Sequence, residues 1–210
     1  MAAARAMPAL APWVDPAHAE PIGPVEIMGD PRNVRRRLVV EGVPIALGLH
    51  AIGDALCHTN PAHGYGVSMA LAHAFALADI LMTVPDDAVA QALAFDDATA
   101  EEVRQRYAFA VTEDRWRDRL WRGEEPETPT PEEDLHGFVR AAGAMAATTD
   151  PVVFRALRRR IHLIDLPDAV LGNAAVIERS RRAFAARPVE TTLAAGPDRA
   201  ALLALLGHPD

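Results

Sequence analysis

Between residues 51 and 82 the chain reads AIGDALCHTNPAHGYGVSMALAHAFALADILM, and this stretch limits its possible folds more than any other. The residues leading into it, 46–52, mix small and branched apolar side chains, as a strand buried on both faces does. Gly53 and Asp54 permit a sharp exit and leave a carboxylate at the strand's C-terminal edge, where open α/β sheets receive ligands. Asn60 suits a turn and Pro61 stiffens it. Gly64 and Gly66 remove side chains just before a helix, where backbone N–H groups can approach a ligand and the helix dipole favours negative charge. Apolar residues at Val67, Ala70, Leu71, Ala74, Leu77, Ala78 and Leu81 fall at helical spacing and predict an amphipathic helix that Pro85 closes. A glycine pair before a helix fits a ligand loop or a plain structural turn, and on these residues alone both stay open.

Bulk properties narrow the classes. The chain has 210 residues, half of them hydrophobic, enough for one substantial domain or two small ones. A net charge of -8 argues against a general nucleic-acid binder. All 21 basic residues are arginine, which excludes a Schiff-base lysine and a P-loop lysine. A single cysteine, Cys57, excludes an internal disulfide and fits a reducing compartment. The opening residues lack a sustained apolar core of the signal-peptide kind, and no apolar run approaches the roughly 18 residues needed to span a bilayer. The expectation is a cytoplasmic chain without a membrane span.

The expected fold class is α+β and predominantly α-helical. The first 30 residues, crowded with proline and glycine, predict extended loop or an irregular edge. Two β-rich runs flank the turn-like Glu41-Gly42. From Asp86 onward the chain reads as helix: Thr99 with Glu102 forms a capping box, and Thr130-Pro131 with Glu133 opens another helix. Further starts lie at Asp150-Pro151 and at 165–168, and a last helix covers roughly 197–206. Residues 122–131 form the clearest linker. The division expected is a first part over 1–84 and a helical region over 85–210.

The order Gly53-Asp54-Ala55, Asn60-Pro61, Gly64-Tyr65-Gly66, followed by a helix with small residues at Ala70, Ala74 and Ala78, resembles the second flavin-contacting motif of FAD-dependent monooxygenases and related oxidoreductases. That group includes aromatic-ring hydroxylases, geranylgeranyl reductase-like enzymes and flavin halogenases. The resemblance is strong between residues 35 and 82, and residues 150–167 are similar to the helical tail of some bacterial members. It implies a remnant of a Rossmann-like FAD-binding domain followed by a C-terminal helical region. It also implies that Asp54 hydrogen-bonds ribityl or ribose-side hydroxyls and that Pro61 packs by the isoalloxazine. Backbone N–H groups over 64–67, hence Gly64, Tyr65, Gly66 and Val67, would face the flavin's pyrimidine carbonyl and N1, with Gly53 and Ala55 completing the turn around Asp54. NAD(P)H and a small organic substrate are the further partners implied.

The chain departs from that family in lacking a Gly-x-Gly-x-x-Gly segment for the ADP half of FAD. The expectation is therefore the C-terminal portion of a flavoprotein, with a separate chain carrying the glycine-rich half as one way to complete it. No residue is assigned as acid, base or substrate anchor.

Two other classes compete. A metal site would use Cys57, His58 and His63 with Asp54, but adjacent Cys57 and His58 point apart in extended chain and the spacing matches no ligand template. A Cys57–His nucleophile lacks a third orienting residue. A catalytically inactive helical module would keep the loop as structure alone. His50 and His73 read as structural histidines, with His73 on the helix's polar flank. The arginine runs at 35–37 and 158–160 read as solvated faces.

Overall fold

The computed structural model describes residues 1–24, 26, 32–124, 128–186 and 196–207. Among the described residues helix dominates, and the strands are four two-residue pieces. By compactness the chain divides into one unit formed by 1–29, 119–125 and 187–210, and another formed by 30–118 and 126–186.

In the first unit, α1 (Ala2–Ala6) leads into a 3₁₀ turn at Ala11–Val14, and neither contains a buried residue. The sequence predicted loop here; one helical turn forms because an alanine-rich pentapeptide has the best intrinsic propensity. Arg119 pairs with Glu124 at 2.7 Å, and the Arg199 guanidinium lies 5.6 Å from the Trp121 ring.

The second unit holds the site. β1 (Val34–Arg35) pairs antiparallel with β4 (Cys57–His58), and β2 (Val39–Val40) pairs with β3 (Val43–Pro44). Glu41 and Gly42, both at positive φ, make the two-residue turn between β2 and β3, the conformation that matches strand twist. The strand expected over 46–52 does not form. Among the described residues nothing pairs with it, and without a ladder partner an apolar run has no reason to stay extended.

α2 (Gly66–Thr83) and α3 (Ala88–Trp121) follow. Met69 of α2 and Phe95 and Val103 of α3 share a buried core with Leu56, Cys57 and Tyr65. α3 runs unbroken through Thr99, so the capping box expected there does not exist; Thr99 is buried in mid-helix and its hydroxyl donates to the Phe95 carbonyl at 2.8 Å. Hydrophobic continuity across Phe95 and Val103 overrides the local start signal.

α4 (Leu135–Phe138) continues through a π turn at Val139–Gly143 into α5 (Ala144–Ala146). The Thr130–Glu133 pairing forms as the sequence suggests, at 2.9 Å to the backbone N–H, yet it closes only a turn. The helix begins one turn later, capped by Asp134. α6 (Pro151–Ile161) starts on Asp150 as expected, α7 (Pro167–Leu171) follows the 165–168 signal, and α9 (Arg199–Leu205) lies within the predicted last helix. α8 (Ala174–Ala185), capped by Asn173, packs Val176 and Ser180 against the π turn and α5. Of the expected linker, 125–127 lie outside the described residues.

The buried side of α2 differs from the expected stripe. Met69 and His73 are buried, with Ala76, Leu77 and Ile80 packed beside them, whereas Val67, Leu71, Phe75 and Met82 are between 55% and 78% exposed. The helix is apolar nearly all round, so periodicity alone has no polar side to mark which stripe meets the core. By length and composition α2, with only His73 and Asp79 as ionisable residues, is long and apolar enough to cross a membrane, against the expectation that no apolar run approaches that length.

Candidate functional site

Residues 52–67 are held from three directions. From the strand side, Arg36 N–H donates to the Leu56 carbonyl at 2.9 Å, and its guanidinium donates to the carbonyls of Asp54 and Ala55, both at 3.1 Å. From α2, His73 Nδ1 accepts the Gly53 N–H at 3.2 Å in a buried contact. From α3, Asp114 accepts from the side-chain amides of Asn33 (2.7 Å) and Asn60 (2.9 Å), while Asn33 Oδ1 takes the Asn60 backbone N–H at 2.9 Å. Asn60 then caps the 3₁₀ turn Pro61–His63 by accepting the Ala62 N–H at 3.0 Å. These bonds leave the loop little local freedom.

Glycine is required where the loop meets the helix. Gly53 has φ +52°, and a Cβ there would stand 2.7 Å from Ala70 Cβ. Gly64, at φ +74°, closes the 3₁₀ turn in the left-handed conformation. Gly66 opens α2 with ordinary φ, and a Cβ on it would meet only Asp54 Oδ1 at 3.6 Å. Met69 N–H makes the first backbone bond of the helix, to Tyr65 at 3.0 Å. The amides of Gly66, Val67 and Ser68 precede that bond and have no intrahelical acceptor.

The result is a cleft of about 610 Å³ bounded by Gly53, Asp54, Ala55, His58, Asn60, Pro61, Gly64, Gly66, Val67 and Ala70, with Ile52 and Thr59. Seven of the eight residues singled out from the sequence therefore share one surface. Tyr65 does not: its side chain is buried behind the loop with the hydroxyl 3.5 Å from the Arg106 carbonyl, and burial pushes its phenol up to about 12. Only its backbone belongs to the sequence of loop amides.

Asp54 is two-thirds exposed at the cleft rim, with His58 Nδ1 at 3.1 Å from Oδ2. The rim thus carries a carboxylate–imidazole pair, glycine edges and the positive end of an 18-residue helix. Such a wall can accept hydroxyl donors at Asp54 and stabilise a polarised oxygen or nitrogen at the helix end.

The three residues considered as metal ligands go three ways. Cys57 is buried in the core, where burial pushes its thiol up to about 11 and keeps it protonated at neutral pH. His58 stands on the cleft with Asp54. The His63 side chain is 5% exposed on the far side of the loop, stacked on Tyr65 at 5.6 Å. Among the described residues no three His, Cys, Asp or Glu side chains gather as a metal would need.

Several site-building residues escaped the sequence. His73, expected on a polar flank, is 1% exposed and orders Gly53. Its spacing from Met69, Ala76 and Ile80 is the signal that marks it as inward-facing. Arg160, expected to be solvated, is half-buried with its guanidinium 4.2 Å from the centre of the Phe109 ring. Arg36, Asn33 and Asp114 act through contacts 18 to 81 residues apart, which no local pattern contains. No family model matches the chain, and neither a curated protein nor a solved structure matches it. The motif residues and their geometry carry the functional reading by themselves.

Proposed function

We propose that this chain supplies one wall of a flavin site in an FAD-dependent oxidoreductase of the monooxygenase-like kind, as a remnant of a Rossmann-like domain. The observation that carries this reading is the convergence of Gly53, Asp54, Ala55, Pro61, Gly64, Gly66 and Val67 on a single cleft at the start of α2. Its volume lies within the range of small-molecule sites. The residues fit the group: Asp54 offers an exposed acceptor for ribityl hydroxyls, Pro61 a rigid apolar edge, and the amides of Gly66 and Val67 donors for an electron-rich pyrimidine ring. The bound flavin would supply two-electron chemistry between NAD(P)H and a small organic substrate. This chain's part is to bind, to orient and to favour negative charge at the helix end. The exposed apolar edge of α2, through Val67, Leu71, Phe75 and Met82, favours a protein cover. We assign that cover to the glycine-rich half of the flavin domain, carried in this reading by a separate chain.

Gly66→Ala tests the reading without disturbing the fold, since the new methyl meets only ordinary contact. Titration of FAD followed by the visible difference spectrum should be saturable in the unaltered chain and about tenfold weaker in Gly66→Ala, with thermal unfolding moved by less than about 0.5 kcal/mol. Equal flavin affinity in the two proteins would remove the helix start from the site.

A further inference from the structure

The loop has a second side. A cavity of about 260 Å³ is lined by Tyr65, Arg106, Phe109, Glu113, Arg117 and Arg160, together with Ala62, His63 and Ile161, and shares no residue with the flavin cleft. A neighbouring cavity of about 200 Å³ shares Phe109, Glu113 and Arg160 with it.

Three guanidinium groups line the larger cavity, and two are spoken for. Arg106 donates to the carbonyls of Arg160 (2.9 Å) and Asp165 (3.1 Å), and Arg117 stands 3.6 Å from Asp114. Arg160 is different. It is half-buried and laid over the Phe109 ring, its Nε is shielded from solvent without a hydrogen bond, and among the described residues no carboxylate lies within ion-pair distance of it. Glu113, the acid on the same wall, is bound to Arg140 at 3.2 Å. His63, on the same wall, has its shielded Nε2 3.7 Å from Asp114 Oδ1. A partly desolvated guanidinium held flat by an aromatic ring is a costly arrangement unless an anion completes it, and its fork matches a carboxylate in two parallel bonds.

We propose that this cavity binds a small organic monocarboxylate with an apolar body, the carboxylate on Arg160 and the body against Phe109, Tyr65 and Ile161. Glu113 supplies negative charge that disfavours a dianion, so inorganic phosphate is the poorer ligand. The space exceeds the roughly 150 Å³ that suffices for benzene, so a single ring with its carboxylate fits. The site stands independently of the flavin reading, because its ligand and its lining are separate.

The test uses the full chain at pH 7 with benzoate, its neutral isostere benzamide, and inorganic phosphate, followed by calorimetric titration. Benzoate should bind saturably, and benzamide and phosphate about tenfold or more weakly. Arg160→Gln should weaken benzoate by about tenfold, while Arg158→Gln, two residues away and outside the cavity, should leave it unchanged. Benzoate binding no tighter than benzamide or phosphate, or unaltered by Arg160→Gln, would overturn the proposal. Should Arg160→Gln fail to fold, the benzoate-to-benzamide ratio of the unaltered chain decides alone.

Discussion

Gly53→Ala should destabilise the 30–118 and 126–186 unit by about 3 kcal/mol, seen as an earlier denaturant midpoint with little change in slope. Two costs add. The backbone at φ +52° places an L side chain in the left-handed region, worth about 1–2 kcal/mol. The new Cβ also falls 2.7 Å from Ala70 Cβ, so the turn or α2 must move, and overpacking of this kind costs about 1–3 kcal/mol. The movement would reach the cleft directly, because Gly53 lies between Ile52 in the core and Asp54 on the rim. A Gly53→Ala protein as stable as the original would show that the turn is not pinned against the helix.

His73→Leu should cost about 2 kcal/mol at pH 7, since the buried Gly53 N–H then loses its acceptor. The same imidazole makes stability depend on pH. Burial holds the His73 pKa below its ordinary value of 6.5, with Glu102, 4.0 Å from Nε2, pulling the other way. Burial also lowers His63, against the attraction of Asp114. A folded-state value below the unfolded one means that the unfolded chain binds more protons. The stabilisation is therefore complete above pH 6.5 and is lost as pH falls below it. Thermal melts across pH 7.5 to about 5 should show Tm falling through the lower half of that range. The fall should be shallower in His73→Leu, from which one of the two imidazoles held low by burial is gone. Identical pH profiles for the two proteins would contradict the account of His73.

The two residues also show what a sequence does and does not disclose. Gly53 and Gly64 are legible because their need is local: a tight turn and a left-handed cap. The two-residue turn at Glu41-Gly42, the cap at Asp150 and the helix start at Pro167 are legible for the same reason. His73 is not, because its role depends on which side of an all-round apolar helix faces Phe95 and Leu56. The strand expected over 46–52 fails for a related reason: pairing is a property of two segments, and a sequence run shows one. Thr99 is the converse case, where a sound local signal yields to burial.

The loop's two-sidedness has the same origin. Pro61, Gly64 and Gly66 face the cleft, whereas Ala62, His63 and Tyr65 face the arginine-walled cavity. The anchors from Asn33, Arg36 and Asp114 fix that division, and they come from distant parts of the chain. The most conspicuous letters of the loop, Cys57 and His63, carry none of the cleft's chemistry.

Flavin binding on the Gly53–Val67 side of this loop, as proposed, has a direct test. The most direct measurement follows the backbone amide resonances of the full chain as FAD is added. The account predicts saturable shifts concentrated at Gly53, Asp54, Gly64, Gly66 and Val67, fitting a Kd on the order of 0.1 mM for a ligand held from one side. Shifts confined to residues outside the cleft, or none across the loop at millimolar flavin, would contradict it.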